Sequence, residues 1–337
     1  MPEDASALTV GSATARRGAV AAGWINVPDW PDGADPGTRV PVFVAHGARP
    51  GAVLALVAGT HGYEYTSVLA LHRVRPRLDP ARMTGSVILV HLANPPCFYG
   101  RRVYYGPDGK NLNRVYPGAA TGTISERIAH AITREVIDRC THLADMHCGD
   151  GNELCRPYSY WVVSGNAAVD AGSRELALAY GLDHIVVDRG RPKDPARSAF
   201  TSNTAILRGK PAVTTESGGV GRTDEASVAN HERGALSLIA HLGIQHLPSA
   251  RVERPVWIDR NEVLRSPVTG VWQAVVEPMQ HLAAGTLVGR LSDPHGAVLR
   301  EVRAPFAGIV LYVVSTPPVT EGEPLAGLGA VATTEPA

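Results

Sequence analysis

Between residues 50 and 243 the chain keeps switching its hydrophobic period, and that alternation narrows the available folds more than any other feature. "AVLALVAG" (52–59) and "SVILVHLAN" (86–94) are short runs rich in Val, Ile and Leu, bounded by Gly, Pro or Asn, the pattern of strands buried on both faces. Between them, "TSVLALHRV" opens with Thr66 and Ser67, whose hydroxyls suit a helix start, and continues in good helix formers. "TISERIAHAITREVIDRC" brings Ile124, Ile128, Ile132 and Val136 onto one helical face, with Thr123 and Glu126 at capping-box spacing. "THLADMH", "YSYWVV", "HIVVD" and "PAVTTE" then read as strands, and "SRELALAYG" and "DEASVANHERGALSLIAHLG" as helices. The class is α/β: a mainly parallel or mixed sheet flanked by helices.

After about residue 250 the texture changes to Val, Pro and Gly without helical periodicity. "RSPVTGVWQAVV" (265–276) and "RAPFAGIVLYVV" (303–314) repeat one pattern at a spacing of 38 residues, which predicts a compact all-β barrel or sandwich. The expected division is 1–250 for a catalytic domain and 251–337 for the smaller β-domain. That second unit resembles the sandwiched barrels of biotinyl and lipoyl carriers, but its "EPMQHL" connection carries Gln280 and no lysine for a swinging cofactor.

With 337 residues, 44% of them hydrophobic and 19% charged, the chain can bury a sizeable core, so disorder is excluded as its main state. A formal net charge of zero gives no support to a nucleic-acid or membrane-surface partner. No apolar run reaches the roughly 18 residues of a membrane span, and "MPEDASALTV" lacks a basic segment followed by an apolar one. Four cysteines without a CxxC pair read as reduced thiols. These features predict a cytoplasmic protein with a small-molecule client; assembly into a homo-oligomer stays open.

Chemistry is concentrated at strand ends, where ligands gather in open α/β sheets. "GTHGYEYTS" (59–67) puts His61 and Glu64 on a turn entering a helix, where an imidazole and a carboxylate can face one ion. Read alone, the pair is equally an exposed histidine with a favourable first-turn carboxylate. His147 closes "THLADMH", and Asp145 precedes it by two residues on the same strand face, placed to orient the imidazole from behind. Cys148 is a competing ligand or nucleophile, but strand alternation turns it to the opposite face. "GKPAVTTESGG" delivers Glu216 at the end of an apolar strand, as a general base or as a solvated strand end. The polar segment 94–118 offers Arg101, Arg102 and Arg114 as forks for a carboxylate, with Asn113 as an amide donor. His72, His91, His231 and His241 read as packing or surface residues.

Taken together, "GTHGYE", "NPPCF" through "NLNRVYPG", "DMH" and "TTESGG" resemble, in order, the motifs of the succinylglutamate desuccinylase and aspartoacylase family of the zinc carboxypeptidase superfamily. The resemblance implies a carboxypeptidase-like mixed sheet with an appended β-barrel and one Zn2+ per chain on His61, Glu64 and His147. It implies Glu216 as general base and acid, Asn113 and Arg114 as the substrate-carboxylate pair, and an upstream arginine, Arg102 or Arg101, polarising the scissile carbonyl. Lys110 and Asn111 stand where the family often has an acidic residue, and Cys148 where a hydroxyl or small residue is usual. The implied reaction is metal-assisted amide hydrolysis of a small N-acyl substrate bearing a carboxylate. A metallocarboxypeptidase acting on short peptides is the alternative; in this family the appended β-domain tends to narrow the entrance against a chain.

Overall fold

The computed structural model describes residues 6–29 and 36–336; residues 1–5 of the N-terminal stretch read above lie outside them. A hairpin of β1 (Ala7–Val10) and β2 (Ala13–Arg16) stands apart from the main sheet. β3 (Ala19–Val27), β4 (Thr38–His46), β5 (Arg49–Ala58), α1 (Tyr65–Val74) and β6 (Thr84–Val90) follow. Then come α2 (Pro95–Tyr99), α3 (Ile124–Ile132), β7 (His142–His147), β8 (Glu153–Val162), α4 (Ala167–Tyr180) and β9 (His184–Asp188). After α5 (Thr201–Ile206), β10 (Ala212–Gly219) and α6 (Glu225–His241), the rest is β11 (Val256–Arg265), β12 (Gly270–Ala274), β13 (His281–Leu282), β14 (Leu287–Ser292), β15 (Val298–Arg303), β16 (Gly308–Val314), β17 (Pro318–Val319) and β18 (Pro324–Val331).

A twelve-stranded mixed sheet runs β13-β16-β18-β11-β9-β8-β10-β7-β5-β6-β4-β3. Its centre, β10, β7, β5 and β6, is parallel. Strand alternation explains why these runs are continuously apolar: Leu54 and Leu56 face one side, Ala55 and Val57 the other, and both sides are covered. Leu71 of α1, Leu176 of α4 and Leu238 of α6 pack on the first face, and Ile124, Ile128 and Ile132 of α3 with Ile206 of α5 on the second. Each such side chain stabilises the fold by roughly 1.5–3 kcal/mol through burial. The capping box forms as expected, with the Thr123 amide donating to Glu126 Oε2 at 2.9 Å. No helix among the described residues is long and apolar enough to cross a membrane.

Residues after β11 build a separate apolar cluster around Trp272, Leu291 and Leu325. The 38-residue echo becomes β12 and β16, on opposite walls of that cluster, with Trp272 Nε1 donating to the Val314 carbonyl at 2.9 Å. Each copy's trailing strand pairs with the other copy's leading one, β13 with β16 and β17 with β12. Backbone pairing also crosses the expected boundary at 250/251, because β11 adds to β9 in parallel and β16 pairs with β8. Hence four strands of the C-terminal stretch extend the main sheet instead of closing on themselves alone.

Candidate metal centre

The parallel register brings the candidate residues together. Ala58, the last residue of β5, is level with Met146, so His147 projects just beyond it, and Glu216 of β10 lies level with His147. His61 and Glu64 occupy the turn between β5 and α1. A close approach shapes this turn, since a Cβ on Gly62 would lie 2.0 Å from the Arg102 carbonyl oxygen and the Gly62 amide donates to Val103 O at 3.1 Å.

Glu64 is fully buried, His61 is 8% exposed and His147 3%. Glu64 Oε1 lies 2.8 Å from His61 Nδ1 and 2.6 Å from His147 Nδ1, and one donor atom from each residue falls within 4.8 Å of the others. The second Glu64 oxygen accepts the His61 amide at 2.8 Å, which fixes the turn. Both imidazoles are oriented from behind. His61 Nε2 lies 3.0 Å from Asn111 Oδ1, and His147 Nε2 lies 3.0 Å from Asp145 Oδ1 and 3.2 Å from Asn113 Nδ2. Both Asp145 oxygens are buried without hydrogen-bond geometry to any partner among the described residues.

Electrostatics make this a place that demands positive charge. Burial opposes an imidazolium, yet Asp150, 3.2 Å from Nδ1, and Glu64 outweigh it and lift the His61 pKa to about 9. Burial likewise opposes a charged His147, but Asp145 and Glu64 carry its pKa well above 6.5. For Glu64 the burial penalty is overcome by the two histidines, which hold its carboxyl far below the usual range. Two imidazoles drawing protons toward one buried carboxylate, with the fully buried Asp145 behind His147, is a field a divalent cation would satisfy. The donor set of two nitrogens and a carboxylate suits Zn2+ and leaves one position free.

These residues open into a cavity of about 340 Å3. Glu216 lines it, half-buried, and burial pushes its carboxyl up to about 8; His147 pulls the other way, and Glu64, Asp150 and Glu153 add to the rise. Asn113 and Arg114 line it as expected, Asn113 held by the Thr201 amide donating to its Oδ1 at 2.9 Å. Arg101 and Arg102 do not reach it. α2 ends at Tyr99, Arg101 turns through φ +50°, and both side chains are exposed on that turn; only the Arg102 carbonyl packs against the ligand loop. Cys148, expected on the opposite face, lines the cavity at the strand end, where the regular alternation stops.

Sequence reasoning passed over Asp150, Arg191 and the C-terminal pair Arg265 and Tyr312, all of which line the cavity. Asp150 follows "DMHCG" directly, and "RGRPKDPARSAF" (189–200) has the same Arg- and Pro-rich texture as the 94–118 segment, so both carried a signal. Arg265 and Tyr312 carried none, because they arrive through the pairing of β11 and β16 with the main sheet.

With this geometry in hand, comparison with known proteins is specific. Residues 50–242 match the model of the succinylglutamate desuccinylase/aspartoacylase catalytic domain. N-alpha-acetyl-L-2,4-diaminobutyric acid deacetylase of Halomonas elongata is 30% identical over 281 residues, 80% of each chain. The fold is shared with a succinylglutamate desuccinylase from Silicibacter sp. TM1040 (TM-score 0.82, 22% identity, 98% and 97% of the two chains). It is also shared with the product-bound ectoine utilization protein EutE (DoeB) from Ruegeria pomeroyi (TM-score 0.82, 24% identity, 98% and 97%). The motif-bearing region and its mixed α/β fold thus place the chain in the succinylglutamate desuccinylase/aspartoacylase family.

Proposed function

We propose that this protein is a zinc-dependent amidohydrolase that deacylates a small N-acyl amino acid, or a related N-acyl amine bearing a carboxylate. The observation that carries the reading is the convergence of His61, Glu64 and His147 within 4.8 Å, with Glu216 in register beside them. Its family membership and the deacetylase from Halomonas elongata support the reaction class. Bound among the three donors, one Zn2+ per chain would polarise a water molecule and the scissile carbonyl.

The remaining work falls to the chain's own groups. Glu216 takes the proton of the attacking water and returns it to the leaving amine nitrogen, and the burial that raises its pKa suits it to hold that proton. Asp145 and Asn111 fix the ring planes of His147 and His61. Asn113 and Arg114 receive the substrate carboxylate. Arg101 and Arg102, with side chains on the exposed turn outside the cavity, are given no part in the reaction. The size of the cavity, and the wall that Arg265 and Tyr312 add, favour a small substrate over a peptide chain, and so a deacylase over a metallocarboxypeptidase. Four unpaired cysteines fit action in the cytoplasm.

A panel of N-acyl amino acids assayed for released amine tests the reading, with the Glu216→Gln variant alongside. We expect that variant to keep its metal while turnover falls roughly 10²–10⁴-fold. Hydrolysis at the wild-type rate in the variant would remove Glu216 from the mechanism.

A further inference from the structure

Two guanidinium groups share one aromatic ring inside the cavity. Arg191 Cζ lies 3.8 Å from the Phe200 ring centroid and Arg114 Cζ lies 4.6 Å from the same centroid. Each fork is tied at a single point: Arg191 Nε donates to Asp188 Oδ2 at 2.6 Å, and one Arg114 terminal nitrogen donates to the Asn113 carbonyl at 2.6 Å. Asp188 is itself fixed, accepting the Gly190 amide at 2.9 Å. The other donors of both forks have no protein acceptor among the described residues. The Arg191 side chain is only 12% exposed, so water is a poor substitute for its missing acceptors, whereas Arg114 is exposed and its free donors face solvent.

Charge sharpens the point. Asp188 pairs with Arg191, while Arg114 has no carboxylate within ion-pair distance among the described residues and feels only the more distant Asp150, so its charge is incompletely balanced. Both cations lie against the one Phe200 ring, and Arg191 is near enough to act on the charge of Arg114. Like charges so placed repel, and an anion accepting from the free donors of both would relieve that repulsion. Arg114 feels this already: burial and then Arg191 lower its pKa. An incompletely balanced charge with spare donors matches one carboxylate.

We propose that Arg191 is a specificity-determining residue that, with Arg114 beside the same Phe200 ring, clamps the single carboxylate of the substrate. The proposal rests on the deacylase reading for the identity of the ligand, but not for the existence of the anion site. Lysine cannot replace Arg191, because a point charge keeps the attraction and loses both the stacking plane and the fork.

Equilibrium binding in the zinc-loaded Glu216→Gln background, where ligand survives, separates the two ideas. The probes are N-alpha-acetyl-L-2,4-diaminobutyric acid, its carboxamide, and the pair N-succinylethylamine and N-acetylethylamine. The first pair reads a carboxylate on the amine half, the second a carboxylate on the acyl half. We expect at least a tenfold preference for the acid in one pair, lost in Arg191→Gln and reduced at least threefold in Arg191→Lys, with thermal midpoints near the parent's. Should Arg191→Gln fail to fold, the lysine variant decides alone. No preference in either pair, or a preference that survives both substitutions, overturns the clamp. Binding discrimination without any wild-type turnover would retire the hydrolase reading and leave the clamp standing.

Discussion

Asp145 is fully buried beside a histidine and has no other claim on its charge. Burying a carboxylate unpaired is costly, so its retention there argues for a protonated or metal-bearing His147 as its partner. Asp145→Asn should therefore weaken Zn2+ affinity roughly 10–100-fold, read by competition with a chelator, while the thermal midpoint of the metal-loaded protein moves little. An unchanged affinity would reduce Asp145 to a packing residue. At this scale the sequence was legible where chemistry follows local spacing: His61 with Glu64, His147 with Asp145, and Glu216 before its glycines. It was illegible where a side chain's direction depends on a turn. Arg101 and Arg102 are the right residue type in the right segment, yet a left-handed residue swings them outward, while Arg191, from the loop after β9, lines the cavity.

The element that sets the base is the irregular end of β10. Pairing with β8 shifts register between Glu216 and Gly218, a bulge that re-aims the side chain beside it. Gly218 takes φ +99° there, which a larger residue resists. Two elements clamp the bulge: Thr66 Oγ1, in the first turn of α1, donates to the Ser217 carbonyl at 2.8 Å, and Asn230 Nδ2 of α6 donates to Ser217 Oγ at 3.1 Å. α1 therefore links the turn that carries Glu64 to the strand that carries Glu216. Thr66→Val removes the hydroxyl at constant shape and strands a buried carbonyl, a loss of about 1–3 kcal/mol. We expect kcat to fall three- to tenfold with KM and metal content unchanged and with Thr66→Ser restoring most of it; a uniform loss of stability without the kcat effect would contradict the link. Helices and strands were readable because periods of 3.6 and 2 survive in "TISERIAHAI" and "VLALVA". The bulge was not, because nothing local distinguishes Ser217 from the strand around it.

Across the whole molecule, the sheet order is what gathers the site, for β5, β7 and β10 are adjacent although residues 59 to 216 separate their contributions. The alternating pattern predicted the sheet class, and the 38-residue echo predicted a β-rich end, but neither specified that β11 and β16 would dock edge-on and lend Arg265 and Tyr312 to the cavity. Such contacts between distant segments are set by which edges remain unpaired, and a linear pattern does not record that. The fold brings the three potential donors within 4.8 Å of one another, a spacing that one divalent cation would fill. The direct test is to strip the protein with a chelator, titrate Zn2+ back, and follow both bound metal and amine released from an N-acyl amino acid. The account predicts that turnover vanishes on stripping and returns in proportion to zinc up to one equivalent per chain, with His147→Ala neither retaining zinc nor recovering. Hydrolysis by the metal-free protein, or full zinc occupancy in His147→Ala, would contradict it.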